Sequence, residues 1–161
     1  MIKILALDLA KKTGWAMNGK GPAPFVGTWD LPGFSDRDTP RSLASIYSAV
    51  REMVTANAIE IVAIEAPLIL PGRSAHTERS LVMLCGAAIA GAINGGAKHI
   101  ETVAPNSWRK VVLGNGRPDD PKGASLRYCA SRGWKIEDHN ASDAACVLVW
   151  AQSKRDVLQL A

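Results

Sequence analysis

Two aliphatic runs in this chain each end in an acidic side chain, and this pattern limits how the chain can fold. The first run, Ile2–Leu7, ends at Asp8, and the second, Ile59–Ile64, ends at Glu65. Near-continuous aliphatic runs of this length are typical of strands that are buried on both faces of a sheet. A carboxylate at the end of such a strand is costly to bury unless it is paired, hydrogen-bonded or bound to a cation.

A third acid, Asp143, lies in the segment NASDAA at Asn140–Ala145, where the pattern predicts the start of a helix. The N-terminal end of a helix favours an anion through its dipole. Carboxylates at two strand ends and one helix start predict a site where the three side chains gather around a divalent metal ion.

Each acid also has an ordinary structural interpretation. Asp8 could accept hydrogen bonds from the turn backbone around Lys11–Thr13. Glu65 could pair with Arg73, and Asp143 could be an acid of the first helical turn. The joint placement of the three favours the metal site over these separate explanations.

The rest of the pattern predicts strands and helices in a single domain that spans residues 1–161. The predicted strands are Ile2–Asp8, Gly14–Met17, Phe25–Asp30, Ile59–Glu65 and His99–Val103, with a turn at Lys11–Thr13. The predicted helices are Thr39–Asn57, Thr77–Asn94, Pro105–Leu113, Lys122–Arg132 and a last helix from Asn140 or Ala141 to Lys154. Hairpin strands followed by strands that alternate with helices indicate an α/β fold. We expect a five-stranded mixed sheet, an antiparallel meander plus parallel strands, flanked by helices.

Composition favours one folded globular domain, because 47% of the residues are hydrophobic and 21% are charged. The formal net charge of +4 is compatible with a polyanionic partner. Cys85, Cys129 and Cys146 lie in apolar helical surroundings, which predicts buried free thiols and a reducing, cytoplasmic location. No signal peptide is expected, and the most apolar stretch, Leu81–Ile93, is too short to cross a bilayer.

Three converging carboxylates suit the hydrolysis of a phosphodiester. That reaction must stabilise extra charge on the phosphate and activate a water molecule near neutral pH, and two divalent ions about 4 Å apart can do both. Hard ions such as Mg²⁺ or Mn²⁺ prefer carboxylate oxygens. Asp8 would bridge the two ions, Glu65 would lie beside it on a neighbouring strand, and Asp143 would complete the site from the last helix.

Three motifs resemble the RuvC-type Holliday-junction resolvases of the ribonuclease H-like superfamily. They are LALDLAKKTGWA around Asp8, VAIEAPL around Glu65 and NASDAACVL around Asp143. The segment APNSWRKVVLGNGRPDDPKGAS is similar to that family's helix–loop–helix before the last acids. The motifs occur in the family's order over nearly the whole chain, and IEAPLILPGRSAH is more similar to phage or prophage-borne members.

The resemblance implies a ribonuclease H-like fold and a crossover junction endodeoxyribonuclease, which is a metal-dependent enzyme selective for DNA structure. It would resolve Holliday junctions or related branched DNA by paired nicks, leaving 5′-phosphate and 3′-hydroxyl ends. The expected cofactors are two Mg²⁺ or Mn²⁺ ions per active site. The expected assembly is a homodimer, which matches the near two-fold symmetry of a four-way junction. No nucleotide cofactor is expected, because the chain has no G-x-x-x-x-G-K-[ST] pattern.

The resemblance places the three acids on the family's metal-binding positions, but the chain departs from the family at the fourth. That position, three residues before the last acid and usually Asp or His, is Asn140 here. Asn140 offers a carbonyl oxygen that can bind a metal ion or hold its water, but it cannot act as a base. His139 is an alternative ligand from the same helix, unless it is only a surface residue, and Asp138 is a further candidate if the helix begins later.

Seven basic residues are the candidates for DNA binding. They are Lys11, Lys12, Arg73, Arg109, Lys110, Arg117 and Lys122. Arg109 and Lys122 fall where the family places lysines near the scissile phosphate, although the loop around Pro118–Pro121 differs in length. A cation there would neutralise developing charge or hold the DNA backbone. The alternative for all seven is an ordinary solvated surface.

The predicted helix Thr77–Asn94 has small residues four apart, such as Gly86 with Ala90, which allow another helix to approach closely. The resemblance implies a dimer interface there, and packing on the chain's own sheet is the alternative. Both can hold on different faces of the helix.

Three other functions stay open at this point. A non-catalytic protein that binds branched DNA would fit the neutral Asn140. A nuclease for RNA–DNA hybrids would share the fold. An ATP-handling protein of the actin and sugar-kinase superfold also begins with a strand-end Asp, but it needs two such domains and this chain has room for one.

Overall fold

The computed structural model describes residues 1–68, 72 and 74–159, and these form five strands and five helices. The strands are β1 (Ile4–Asp8), β2 (Lys12–Met17), β3 (Phe25–Asp30), β4 (Ile61–Glu65) and β5 (His99–Val103). The helices are α1 (Thr39–Asn57), α2 (Ala75–Gly95), α3 (Pro105–Leu113), α4 (Pro121–Ser131) and α5 (His139–Gln159).

The strands form one mixed sheet in the order β3-β2-β1-β4-β5. β1, β2 and β3 pair antiparallel, whereas β4 pairs parallel with β1 and β5 pairs parallel with β4. Leu7 is opposite Ile64 in the β1–β4 ladder, so the next residues, Asp8 and Glu65, lie side by side at the same edge of the sheet. The predicted meander with added parallel strands is therefore confirmed.

Side-chain alternation assigns both strand-end acids to one face of the sheet. Ala6 of β1 and Ala63 of β4 pack in the core that includes α5, whereas Leu7 packs in the opposite core with α1 and α2. Alternate residues of a strand point to the same face. Asp8 and Glu65 therefore emerge on the α5 side of the sheet.

Helices cover both faces of the sheet, which explains why β1 and β4 are aliphatic up to their terminal acids. On one face, α1 contributes Ile46, Val50 and Val54 at four-residue spacing, and all three are fully buried. On the other face, α5 lies against β1 and β2, and α3 and α4 pack beside it. The core on this side contains Cys129 and Cys146.

A glycine lets the start of α5 lie directly on β2. Gly14 pairs with Asp8 in the β1–β2 ladder. A Cβ atom at Gly14 would lie 1.9 Å from the carbonyl oxygen of Asn140 and 2.9 Å from the amide nitrogen of Ala141. Only a residue without a side chain fits there, so Gly14 determines how closely the first turn of α5 approaches Asp8.

Asp138 fixes where α5 begins. Its Oδ1 accepts hydrogen bonds from the backbone N–H groups of Asn140 (2.9 Å) and Ala141 (3.1 Å). Its Oδ2 pairs with Nζ of Lys12 on β2 at 2.5 Å. The same carboxylate therefore caps the helix and ties it to the sheet.

Two predictions for α5 are wrong, and the cap explains the first of them. The helix begins at His139 rather than at Asn140 or Ala141, because Asp138 satisfies the first free amide groups. Asp138 is thus the capping residue, outside the helix, and does not belong to a first helical turn that carries metal ligands. The helix also continues to Gln159, beyond the predicted end at Lys154.

The predicted turn at Lys11–Thr13 is also wrong. β2 already begins at Lys12, which pairs with Asp30 of β3. The turn lies earlier, because the Thr13 hydroxyl donates a hydrogen bond to the carbonyl oxygen of Ala10 at 2.7 Å. The backbone of Lys12 therefore belongs to the β2–β3 ladder and not to a turn.

Other element ends differ from prediction by one or two residues. β1 starts at Ile4 because the Asn18 side chain accepts from the Ile4 amide at 2.7 Å and donates to the Ile2 carbonyl at 2.8 Å, in place of a ladder. α2 starts at Ala75 because Ser74 caps it, accepting from the amide of Thr77 at 3.1 Å. β4 is shorter by two residues, and α4 is shifted by one.

The three cysteines are buried free thiols, as predicted. No helix in the described part of the chain is both long enough and apolar enough to cross a membrane. The cytoplasmic location stays a prediction.

We expect Gly14→Ala to lower the free energy of unfolding by roughly 2–3 kcal/mol, because the new Cβ must displace the first turn of α5. Urea unfolding measures the change. Gly21→Ala is the matched control, since a Cβ there meets nothing within 4 Å, and its effect should stay within about 0.5 kcal/mol. Equal stability of the two variants would show that α5 is not packed on Gly14 as described.

Candidate functional site

The ends of β1 and β4 meet the first turns of α5 at an open cleft of about 320 Å³. Six of the residues singled out from the sequence line this cleft: Asp8, Glu65, Arg109, Lys122, Asn140 and Asp143. The beginning, middle and end of the chain thus contribute acidic side chains to one place. Arg109 comes from α3 and Lys122 from α4, so every major element on this face of the sheet takes part.

Burial and neighbouring charges both act on the carboxyl group of Asp8. Burial raises its pKa well above the usual range, and the negative charges of Glu65 and Asp143 raise it further. The guanidinium of Arg109 acts in the opposite direction. The site therefore holds more negative charge than its own cations neutralise.

Glu65 is held by an indole that was not identified from the sequence as part of the site. Nε1 of Trp108 donates a hydrogen bond to Oε2 of Glu65 at 2.5 Å. Burial raises the pKa of Glu65 to about 7, and the charge of Asp143 acts in the same direction, while the indole hydrogen bond opposes the shift. Trp108 itself is fully buried.

Asp143 has a similar neutral partner. The hydroxyl of Ser125 on α4 donates a hydrogen bond to its Oδ1. Burial raises the pKa of Asp143, whereas the Ser125 hydrogen bond and the charges of Arg109 and Lys122 lower it.

The sequence contains a signal for only one of these two partners. Trp108 directly precedes a candidate DNA-binding residue, Arg109, and a buried indole N–H requires an acceptor. Ser125 is one small residue among several in α4, and nothing in the sequence distinguishes it.

Arg109 is the cation most closely associated with the three acids. Its charge opposes the upward pKa shifts of Asp8, Glu65 and Asp143. Its guanidinium carbon lies 5.0 Å from the centre of the Trp108 ring, and its buried Nε has no hydrogen-bond partner among the described residues. The Nε–H of Arg109 is therefore a buried donor without a partner among these residues, while the side chain as a whole lines the cleft.

The other candidates do not line the cleft. Lys11, Lys110, Arg117 and His139 are exposed, and Lys12 is paired with Asp138. Arg73 lies outside the described residues. The positive charge of His139 would lower the pKa of Asp143, so the imidazole is within electrostatic range of the site without lining it. Contacts of these residues with DNA stay predictions.

The donor atoms in the cleft fit a hard divalent cation in their chemistry. Three carboxylates and the Asn140 amide oxygen are the ligands that Mg²⁺ and Mn²⁺ prefer. Across residues 1–68, 72 and 74–159, no three His, Cys, Asp or Glu side chains are close enough together to form a complete ligand cluster. Mutual repulsion of the acids opposes such a cluster, and a bound cation would offset that repulsion.

The fold places the chain in a defined structural class. A five-stranded sheet in the order β3-β2-β1-β4-β5, flanked by helices, is the ribonuclease H-like fold that the sequence predicted. No family model and no curated protein sequence matches the chain.

Solved structures with this fold include the RuvC protein of Thermus thermophilus. It is 16% identical over 91% of this chain and 90% of its own, with a TM-score of 0.71. The same protein in complex with a Holliday junction substrate is 14% identical over 91% of this chain and 90% of its own, with a TM-score of 0.68. The yeast mitochondrial Holliday junction resolvase Ydc2 is 14% identical over 89% of this chain and 75% of its own, with a TM-score of 0.53. The fold implied by the RuvC resemblance is therefore confirmed, and a phage-like origin stays a prediction.

Stability should depend on pH through the cleft acids. Their pKa values are raised in the folded state, so their stabilising contribution is complete below the unfolded-state pKa and is lost as pH rises through the folded-state value, about 7 for Glu65. For Glu65 alone we expect a loss of roughly 2 kcal/mol between about pH 5.5 and 8 in metal-free protein. Urea unfolding in the presence of a chelator measures it.

Asp8→Asn should reduce this pH dependence and stabilise the metal-free protein at about pH 8 by roughly 1–3 kcal/mol, because it removes one buried charge. Glu52→Gln, at an exposed acid of α1, is the control and should leave the pH profile unchanged. A wild-type profile that is flat over this range would contradict the buried-charge description.

Proposed function

We propose that this chain is a metal-dependent endonuclease that is selective for branched DNA and resolves four-way junctions by paired nicks. One observation carries the proposal: acids from β1, β4 and α5 share a cleft with Arg109 and Lys122. Acids that can hold a cation, next to side chains that can hold a phosphate, are what phosphodiester hydrolysis requires. The fold is shared with RuvC, which has been solved with a Holliday junction substrate, and with a mitochondrial Holliday junction resolvase.

Asp8, Glu65 and Asp143 would hold the divalent cation, with Asn140 supplying a neutral oxygen. When bound, Mg²⁺ or Mn²⁺ neutralises charge on the phosphate and lowers the pKa of water. The hydrogen-bond donors to Glu65 and Asp143 are neutral, so they order these acids without adding a positive charge that would compete with a cation. Asn140 cannot take a proton, so proton removal from the attacking water cannot pass through it.

Arg109 and Lys122 would bind the scissile phosphate. In hydrolysis, the water oxygen bonds to phosphorus while the bond from phosphorus to the 3′ oxygen breaks. The 3′ oxygen then takes a proton, which leaves a 3′-hydroxyl and a 5′-phosphate. Negative charge increases on the phosphate oxygens during this step, and the guanidinium of Arg109 and the ammonium of Lys122 would stabilise it.

The direct test is incubation of purified protein with a labelled synthetic four-way junction, with and without Mg²⁺. We expect Asp8→Asn to lower the cleavage rate by about 10³-fold or more while junction binding is retained, because it removes a cation ligand but no phosphate contact. Glu52→Gln is the control and should cut like the wild type. Normal magnesium-dependent nicking by the Asp8→Asn variant would remove Asp8 from the mechanism.

The substrate panel also separates the rival functions. Linear duplex and an RNA–DNA hybrid should be cut at least tenfold more slowly than the junction, and preferred cleavage of the hybrid would overturn the assignment of substrate. The neutral Asn140 is the observation that favours a non-catalytic binder of branched DNA. Tight junction binding without nicking in either Mg²⁺ or Mn²⁺ would support that alternative.

The proposed enzyme acts as a homodimer through α2. The helix has an exposed row of apolar and small residues: Val82, Met83, Gly86, Ala90 and Ile93. Val82 is 51% exposed and Ile93 is 61% exposed, which is unusual for aliphatic side chains that follow one helix face. Leu81, next to this row, lines the cleft, so a second copy bound here would lie close to the site.

The small residues of α2 serve two faces of the helix. A Cβ at Gly91 would lie 2.5 Å from the carbonyl oxygen of Tyr47, so Gly91 is needed where α2 packs on α1. A Cβ at Gly86 meets nothing within 4 Å, so Gly86 has no such requirement within the chain. A second copy of α2 approaching Gly86 would explain the small residue there, and a two-fold dimer would present two cleavage sites to a symmetric junction.

We expect Val82→Glu to convert a dimer to a monomer, because it places a charge within the proposed apolar interface. Light scattering coupled to size exclusion gives the mass directly. Val111→Glu alters an equally exposed aliphatic residue on α3, 59% exposed, and should leave the mass unchanged. A wild-type protein that is monomeric at high micromolar concentration would contradict the interface.

A further inference from the structure

Trp108 contacts two residues of the site and lies in the core itself. It belongs to α3, which begins directly after β5, and its side chain is fully buried in the core beneath α5. One edge of its ring donates to Glu65 at 2.5 Å, and the guanidinium of Arg109 lies over its face at 5.0 Å from the ring centre. A single rigid side chain therefore contacts both an acid and a cation of the cleft.

The indole N–H engages one of the two carboxylate oxygens of Glu65. An indole is a donor only, so its hydrogen bond orders Oε2 of Glu65 without adding positive charge. Lys or Arg in the same place would order the carboxylate but would also neutralise it. Because one lone pair of Oε2 already accepts the indole hydrogen bond, Oε1 is the oxygen that we assign to the cation.

We infer that Trp108 is a positioning residue that orients Glu65 as a one-oxygen ligand for the divalent cation. This inference rests on the proposed function, because it assigns a purpose to an acid of the same site. It goes further in specifying which oxygen binds and which side chain outside the ligand set controls it. Side chains that orient metal ligands typically change metal affinity by about 10–100-fold when they are removed.

A purely structural explanation makes a different prediction. A buried indole needs an acceptor for its N–H, and Glu65 could serve only to satisfy Trp108. In that case removal of the N–H would affect stability and leave metal affinity unchanged. The two explanations therefore differ in metal affinity and not in stability.

The test compares variants at position 108 by calorimetric titration of metal-free protein with Mn²⁺. Trp108→Phe removes the donor and part of the ring. Replacement of Trp108 by benzothienylalanine keeps the ring shape and removes only the N–H, so it remains informative if the Phe variant folds poorly. We expect both to bind Mn²⁺ about 10–100-fold more weakly than the wild type. Trp150→Phe, at a buried indole of α5 outside the cleft, is the control and should bind like the wild type.

Junction cleavage provides a second measurement. If Trp108 acts through metal binding, raising the Mn²⁺ concentration should restore most of the cleavage rate of the benzothienylalanine variant. Wild-type affinity for Mn²⁺ in both position-108 variants would overturn the inference and leave the proposed function intact. Absence of Mn²⁺ binding by the wild-type protein would instead contradict the proposed function itself.

Discussion

Burial of three carboxylates in one cleft, with repulsion between their charges, is the constraint on which the rest of this site depends. Burial and mutual charge raise the pKa of Asp8 and Glu65, which means that the fold stabilises their charged forms poorly. Direct ion pairs with Lys or Arg would stabilise the charged forms of these acids. Glu65 and Asp143 instead accept hydrogen bonds from an indole and a hydroxyl, which order the carboxylates without neutralising them. Such an arrangement costs stability in the metal-free protein and preserves affinity for a cation.

The position of α5 is as important as the acids themselves, because this helix carries Asp143 to the strand ends. Gly14 permits close contact between β2 and the first turn, and the Lys12–Asp138 pair joins the same two elements. Lys12, a candidate for DNA binding, is therefore paired with the carboxylate that caps α5. In this structure its ammonium group helps to hold α5 against β2.

The sequence predicts the fold well where local pattern and topology agree. Aliphatic runs ending at Asp8 and Glu65 indicate buried strands, and parallel pairing then brings the two acids together without further information. Prediction fails where side chains replace backbone pairing, as at Asn18 beside β1, or where a cap fixes a boundary, as at Asp138. Trp108 and Ser125 were missed because their importance depends on contacts made across 43 and 18 residues of sequence. The hydrophobic periodicity of a sequence does not indicate hydrogen bonds between side chains so far apart in the chain.

Two of the acids and the two cations of the cleft come from different kinds of element. Asp8 and Glu65 are fixed by the central ladder of the sheet, which is its least exposed part, so their separation is set by strand spacing. Arg109 and Lys122 come from two helices joined by an exposed loop with a left-handed glycine at Gly114. A cation site requires ligands held at fixed distances. Strand spacing fixes Asp8 and Glu65, and Trp108 contacts both Glu65 and Arg109, so one buried side chain links the acid at the end of β4 to the cation on α3.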